Sequence, residues 1–512
     1  MKKATGATLP LWTSHLDLPL TNPLRENLTC DVCIVGAGIA GLTTAYLLSK
    51  EGKRVVVLDS KSVAGGETSR TTAHLSNALD EQYYNLIKLF GKDGARLACQ
   101  SHASAIDKIQ EISKEENIDS EFARVDGYLV ANNQEQGDKL LQELEALQQM
   151  GWDDVVLRKK SPVPSLTTLP CLHYPNQGRV HVLKYMIGLM KAIEENGGRI
   201  FTGSHVAEFR EGTITTAVTV DNFAVTANHL VVTTNTPVND KFAIHTKQAP
   251  YRTYVIGVQV PKDSVPDALY WDMDSPYHYI RLQKETDAGQ GYDVLIVGGE
   301  DHKTGQHDNP AECFLELERW TKLKFPMAQE VLYRWSGQVY EPVDGLAYIG
   351  RNPGSTDNVY IATGDSGHGI THGTIAGMIL TDLIVGRQNP WAKLYDPGRV
   401  SLNAQAVGEF MKENLNVAAQ MKDHLTPGEV EDVLEVMPGT GRIMRKGGHK
   451  VAVFCDQDGV RHQSSAVCPH LGCVVSWNSV ESSWDCPCHG SRFDPFGKVV
   501  IGPANSDLGP AK

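Results

Sequence analysis

Near the C-terminal end of the 512-residue chain, two short loops each carry cysteine and histidine: Cys468-Pro469-His470-Leu471-Gly472-Cys473 and Cys486-Pro487-Cys488-His489-Gly490-Ser491. Thiolates and imidazoles at this spacing are metal ligands. Cys468 and His470 stand in C-x-H order and Cys486 and His489 in C-x-x-H order, with 15 residues between His470 and Cys486. A zinc site uses the same ligand types. The alternative is an iron pair, with two thiolates on one iron and two neutral imidazoles on the other. Four of the ten cysteines lie here, and ten in a chain of this length are too few for a disulfide scaffold. Cys30 and Cys33 form a C-x-x-C, but within TCDVCIVGAG they read as small apolar residues of a buried strand.

A second constellation lies near the other end. Residues 32–35 form a continuous apolar run, followed by Gly36, Gly38 and Gly41, a helical stretch over 42–50, the strand Val55–Leu58, and Asp59. The first glycine permits a tight turn, the second lets backbone N–H groups approach a pyrophosphate, and the third lets the helix pack on the strand. The helix N-terminus adds partial positive charge beneath the phosphates, and Asp59 is placed to accept from a ribose hydroxyl. Strand, helix, second strand and acid together predict dinucleotide binding. Only one intact G-x-G-x-x-G is present, whereas an enzyme that takes electrons from NADH onto FAD usually needs two such turns.

These motifs sit in a recognisable frame. Residues 79–150 are rich in Leu, Gln, Glu and Lys at helical spacing and predict a mostly helical cap. Short β-rich runs follow over 199–232 and 246–300, and NVYIATGDSGHGITHGTIAGMILTDLIVG is another strand, turn and helix. Residues 400–427 have helical spacing, and Pro427-Gly428 marks a boundary to a strand- and glycine-rich end. That end carries 10 acids and 8 bases, so most of the net charge of −13 lies on the larger part. An acidic chain argues against nucleic acid or an anionic membrane as partner. No run approaches the ~20 apolar residues of a membrane span, and the first twenty residues lack the apolar stretch of a secretory signal. The chain reads as cytoplasmic.

The N-terminal motif, with Gly65-Gly66-Glu67-Thr68-Ser69-Arg70-Thr71-Thr72-Ala73-His74, Gly350 and Ala362-Thr363-Gly364-Asp365-Ser366-Gly367-His368-Gly369-Ile370-Thr371, resembles the FAD-dependent D-amino acid oxidase-like family over roughly residues 30–395. The resemblance implies FAD contacts at Gly36, Gly38, Gly41, Asp59, Ser60, Thr68, Ser69, Thr72, Gly364, Gly369, Ile370 and Thr371, with Val206 on the adenine side. Thr234-Asn235-Thr236 replaces a glycine found in many relatives. The two C-terminal loops resemble a Rieske [2Fe–2S] domain. That implies Cys468, His470, Cys486 and His489 as ligands and a disulfide between Cys473 and Cys488, although a cytosolic disulfide runs against the usual compartment rule. Ser491 can donate to a cluster sulfur, but Phe493 stands where high-potential relatives have a tyrosine, which implies a lower potential. Gly502-Pro503 resembles the loop that covers the cluster.

The implied fold is α/β (α+β): an FAD-binding Rossmann-type domain with an interleaved antiparallel-sheet substrate domain, plus a small all-β Rieske domain. The expected organisation is an N-terminal arm over 1–29, the oxidoreductase over 30–395, a helical linker over 396–427 and the Rieske domain over 428–512. Within the oxidoreductase, FAD binding falls to 30–78, 175–245 and 340–395 and substrate binding to 79–174 and 246–339.

Family chemistry removes a hydride from a carbon bearing nitrogen, after the amine has lost its proton in a desolvated pocket. Where amino-acid-oxidising members carry carboxylate-binding arginines, this chain has Val339 and Gly367. Without a bidentate partner a bare α-carboxylate is poorly held. Ser366-Gly367-His368-Gly369 instead resembles the amine-oxidising, γ-glutamylputrescine oxidase-type branch. The expected substrate is a small amine, polyamine-like or N-methylated, with an amino acid as the alternative and Arg281 as its remaining anchor. His74, Tyr251, Tyr279 and His368 are the pocket candidates. Glu300, Asp301, His302 and His307 approach the two-histidine, one-carboxylate pattern of an oxygenase iron but read as strand plus polar turn. Cys313 lies in a helix away from any flavin-attachment motif. Electrons are expected to pass from flavin to the cluster and on to an external one-electron acceptor, a protein or a quinone. The rivals are reversed flow, cluster to flavin, and a non-catalytic redox sensor.

Overall fold

The computed structural model describes residues 6–14, 16–239, 244–284, 291–400 and 403–511. The apolar run after residue 27 becomes strand β1 (Leu28–Val35), the glycine turn feeds helix α1 (Ile39–Lys50), and the chain returns as β2 (Val55–Leu58). β1 and β2 pair in parallel, and Ala224–Val232 pairs in parallel on the other side of β1. The sheet runs Tyr348–Arg351, Val359–Thr363, Ala224–Val232, β1, β2, Arg199–Phe201, with only the first pairing on this path antiparallel. Val32, Ile34 and Val57 have no exposed surface, as a parallel strand covered on both faces requires. The carboxyl ends of β1 and β2 therefore open onto one edge, where such sheets bind ligands.

A second, nine-stranded sheet runs from Val331–Pro342 through Gln248–Pro261, Tyr292–Lys303, His278–Gln283, Ala268–Trp271, Ala123–Val130 and Cys171–Arg179 to His74–Leu75, with Val156–Arg158 also paired to Cys171–Arg179. It is antiparallel except between Ala268–Trp271 and Ala123–Val130. The predicted helical cap holds the helices Tyr83–Glu115 and Gln134–Gln149, but Ala123–Val130 between them joins this sheet. Gly91, at φ +71°, breaks the first of those helices.

The linker helix Ala404–Gln420 buries little besides Ala406. Beyond it lie two small antiparallel sheets. One consists of Gly441–Lys446, His449–Cys455 and Arg461–Ser465; the other of Ser476–Asn478, Ser483–Asp485, Arg492–Phe493 and Val499–Ile501. This end docks on the larger part through buried charge: Glu481 lies 3.2 Å from Arg70 and 3.3 Å from Arg252. Among the described residues, no helix is long and apolar enough to cross a membrane.

Candidate functional site

The turn after β1 cannot be built from ordinary residues. Gly36 has φ +111°, and a Cβ there would lie 2.4 Å from the Thr233 carbonyl oxygen. A Cβ on Gly41 would lie 1.9 Å from the Gly36 carbonyl oxygen, so that glycine seats α1 against the turn. The expected ribose acceptor, Asp59, braces the turn: its Oδ2 accepts from Ala37 N–H and its Oδ1 from Lys61 N–H, both at 2.7 Å. Each oxygen keeps a second lone pair for a ligand. Thr68 Oγ1 accepts from Ile39 N–H at 3.1 Å, which fastens the 65–74 segment to the N-terminus of α1.

A single cavity of about 1980 Å³ opens from this turn. A drug-sized ligand needs only about 300–1,000 Å³, so the space accommodates a dinucleotide and a substrate together. Gly36, Gly38, Asp59, Ser60, Thr68 and Ser69 line its first part. Thr72, Val206, Gly364, Gly369 and Ile370 line it further on. Gly41 and Thr371 lie one layer behind the wall; Thr371 Oγ1 donates to the His368 carbonyl and bonds His102 Nδ1 at 2.9 Å.

Of the four pocket candidates, His74, Tyr279 and His368 reach the cavity and Tyr251 does not. A register shift between Arg252 and Tyr254 interrupts strand alternation there. The Lys303 ammonium sits over the Tyr251 ring while pairing with Glu413 of the linker helix at 2.6 Å. His74 shares its Nδ1 with Thr72 Oγ1 at 2.9 Å; burial, reinforced by Arg281, lowers it to about 3, so its imidazole is neutral. His368 Nε2 accepts from Asp80 N–H at 3.3 Å.

Arg281 does not face the cavity. Its guanidinium donates to the carbonyls of Thr72, Ala73 and Val180 at 3.0–3.2 Å and so braces the 72–73 segment. Arg70 does line the cavity, but it is committed to Glu481, to the Ser336 carbonyl at 2.6 Å and to the Thr8 carbonyl at 3.0 Å.

Two acids line this end of the cavity: Asp80, which no motif marks in the sequence, and Asp301, which reads there as part of a strand and polar turn. Asp80 accepts from the Tyr277 hydroxyl at 3.3 Å, and a Cβ on Gly367 would point at Asp80 Oδ2 from 3.1 Å. Asp301 lines the same wall beside Thr253, whose hydroxyl bonds the Tyr279 hydroxyl at 2.6 Å. Burial raises the Asp301 carboxyl, a hydrogen bond from Thr253 opposes this, Asp80 adds to it, and the result is about 7. Asp301 Oδ1 is buried without a hydrogen-bond partner among the described residues. Glu300 turns away to His278 Nε2 at 3.4 Å, and His302 bonds the Tyr254 hydroxyl at 2.9 Å. The rings of His302 and His307 do meet, with centroids 4.6 Å apart and Cys313 beside them, but neither Glu300 nor Asp301 joins them, so the two-histidine, one-carboxylate set of an oxygenase iron does not form among the described residues. Cys313 is buried in its helix, outside the cavity lining.

The two C-terminal loops meet. Cys473 and Cys488 are disulfide-bonded, with Cα atoms 6.4 Å apart. The thiols of Cys468 and Cys486 are in hydrogen-bonding contact, and the rings of His470 and His489 lie 5.1 Å apart at 90°. His489 Nδ1 is buried without a hydrogen-bond partner among the described residues, a costly arrangement unless it ligates a metal. The Ser491 hydroxyl contacts the Cys468 sulfur and accepts from Ala504 N–H at 3.0 Å, while the buried Phe493 offers no donor. The donor set fits an iron pair with mixed ligation.

The family described as FAD dependent oxidoreductase matches residues 31–383, and the family described as Rieske [2Fe-2S] domain matches residues 427–510. Over 502 residues the chain is 32% identical to the Rieske 2Fe-2S iron-sulfur protein YhfW of Bacillus subtilis, covering 97% of this chain and 96% of that one. It is 27% identical over 379 residues to gamma-glutamylputrescine oxidoreductase of Escherichia coli, covering 71% of this chain and 85% of that one. Among solved structures, glycine oxidase from Geobacillus kaustophilus shares the fold with a TM-score of 0.60 at 18% identity, over 73% of this chain and 100% of that one.

Proposed function

The chain belongs to the FAD-dependent oxidoreductase family and carries a C-terminal Rieske [2Fe-2S] domain, and on that premise we propose that it dehydrogenates a small amine and exports the electrons through the cluster. The charge of the cavity's far end carries the substrate class. Asp80 and Asp301 line it, while Arg70, the one arginine among its described lining residues, is committed to Glu481. An ammonium is attracted there and an α-carboxylate repelled. Polyamine-like or N-methylated amines therefore fit better than amino acids.

The residues divide the work. Asp80 holds the cation, with the rings of Tyr277 and Trp271 in the wall of the same cavity. Asp301 Oδ1 accepts the ammonium proton, because a carboxyl at about 7 is matched to that transfer near neutral pH. The freed lone pair can then stabilise the developing iminium. Neutral His74 and the Thr253–Tyr279 hydroxyl pair shape the wall without adding positive charge.

Bound FAD supplies the two-electron acceptor. Gly36, Gly38, Asp59, Ser60, Thr68, Ser69, Thr72, Val206, Gly364, Gly369 and Ile370 would hold it, with Gly41 and Thr371 supporting from behind. Cys468, His470, Cys486 and His489 would hold the cluster, a one-electron outlet to an external protein or quinone. Joining both on one chain replaces a diffusive encounter with a high effective concentration.

The test is an anaerobic panel of amines and amino acids, followed by flavin absorbance and by the paramagnetic signal of the reduced cluster. Bleaching by amines, with the cluster signal following, is the expected result. Bleaching by α-amino acids alone would overturn the substrate class, and a cluster that stays oxidised would overturn the outlet.

A further inference from the structure

One ring of the larger part touches the cluster ligands. His245 is 2% exposed, its ring lies edge-on to His470 with centroids 4.8 Å apart at 81°, and its centroid is 6.1 Å from that of His489. Behind it runs a continuous set of hydrogen bonds toward the cavity. His245 Nδ1 bonds Thr236 Oγ1 at 3.3 Å, and Gln248 Nε2 donates to Thr236 Oγ1 at 3.3 Å and to Thr363 Oγ1 at 3.1 Å. Thr363 lines the cavity and precedes Gly364, in the segment assigned to the flavin. The hydroxyl of Thr363 also donates to the Asn235 carbonyl at 2.7 Å, which fixes this relay from both sides.

We propose that His245 is the contact through which electrons cross from the flavin site to the cluster, by way of Thr236, Gln248 and Thr363. This rests on the reading that the cluster is the outlet of the flavin. With both groups bound, reduced flavin would give up its two electrons one at a time, each reducing one ferric ion of the oxidised cluster. The external one-electron acceptor would reoxidise the cluster between the two transfers, and the flavin's protons would go to solvent. A packed ring and a continuous set of hydrogen bonds couple donor and acceptor better than the gap that a smaller residue would leave.

A rival route exists. The Tyr340 hydroxyl donates to the carbonyls of His489 at 3.2 Å and Gly502 at 3.4 Å, and the Tyr340 backbone N–H donates to Asp365 at 3.3 Å. The experiment separates the two. In holoenzyme without substrate, the flavin is reduced by a light flash with a sacrificial donor, and cluster reduction is followed by absorbance and by freeze-quenched paramagnetic resonance. His245→Ala is expected to slow cluster reduction at least tenfold, His245→Phe to restore part of the rate through ring contact, and Tyr340→Phe to stay within twofold of wild type. The dithionite-reduced spectrum and both midpoint potentials are expected to be unchanged in each.

Equal rates in wild type and His245→Ala would overturn the assignment, as would a slowing explained by a shifted cluster potential or a larger effect in Tyr340→Phe. If His245→Ala fails to assemble the cluster, His245→Phe and His245→Gln decide by the same rate and potential measurements. A wild-type cluster that stays oxidised after flavin photoreduction would instead overturn the outlet reading, and this proposal with it. Because the flash needs no amine, an error in the substrate class leaves the result untouched.

Discussion

Glu481 and Arg252 meet 3.3 Å apart with neither side chain exposed, one from the Rieske domain and the other from the strand Gln248–Pro261, one in from the edge of the second sheet. Burial alone would raise the Glu481 carboxyl, but Arg70, Arg252, Arg492 and the Ser336 hydroxyl hold it far below the usual carboxylate range. Removing one partner of such a group leaves a buried charge without compensation, at about 3–5 kcal/mol. Glu481→Ala is therefore expected to destabilise the chain by about that amount in denaturant unfolding, and to loosen the Rieske domain from the rest. Because the folded pKa is depressed, the stabilisation is fully present above the unfolded value of about 4.3 and is lost as pH falls below it. Glu481→Gln should flatten that acid limb; an unchanged limb would remove Glu481 as its source.

Asp301 gives the opposite sign. Its carboxyl sits at about 7 through burial and the nearby Asp80, so below neutrality it is protonated and can neither accept a proton nor attract an ammonium. The rate of flavin reduction by amine should rise with pH through about 7. Asp301→Asn should lower kcat/KM about 10²-fold or more and erase that limb, with flavin content unchanged. A variant that keeps the limb would move the proton acceptor elsewhere.

The sequence made local geometry legible and long-range approach illegible. The glycine turn and the paired Cys–His loops were readable because each is a short segment whose residue types serve one conformation. The charged end of the cavity was not, because Asp80 and Asp301 come from different elements and meet only once the second sheet has formed. Glu481 and His245 were opaque for the same reason, since their roles arise where the Rieske domain docks. Tyr251, a candidate by resemblance and by its place near a strand end, lies outside the cavity under the Lys303 ammonium, because position along a strand does not fix the face a side chain takes where a register shift lies beside it. Arg281, the expected carboxylate anchor, instead lies buried with its guanidinium on three backbone carbonyls, partners that only the folded chain brings to it.

Gly36 tests the dinucleotide cradle. A side chain there meets both a left-handed φ of +111° and the Thr233 carbonyl oxygen at 2.4 Å. The backbone strain alone is about 1–3 kcal/mol, and relief would push the turn into the space assigned to the pyrophosphate. Gly36→Ala should purify with less than about a tenth of the wild-type flavin while keeping the cluster spectrum, because no residue of 468–491 lines the cavity that opens from the turn. Full flavin occupancy in this variant would show that the turn serves packing alone.

The disulfide between Cys473 and Cys488 joins the same two loops that the cluster would join, and it closes a sequence separation of 15. A loop of that size stabilises by about 3 kcal/mol when the cross-link is the only restraint on the unfolded chain. With the cluster in place the loops are already tied through Cys468, His470, Cys486 and His489, so the two restraints overlap. The double variant Cys473→Ser/Cys488→Ser should therefore cost about 3 kcal/mol in cluster-free protein and less in cluster-loaded protein, with the paramagnetic spectrum unchanged. It should also release iron to a chelator faster, because nothing then holds the loops together once a ligand lets go. Val417 and Met421 of the linker segment lie against these two sulfurs and keep water from the bond. Equal costs in loaded and cluster-free protein would mean that the disulfide acts on the fold beneath the loops and not on the loops themselves.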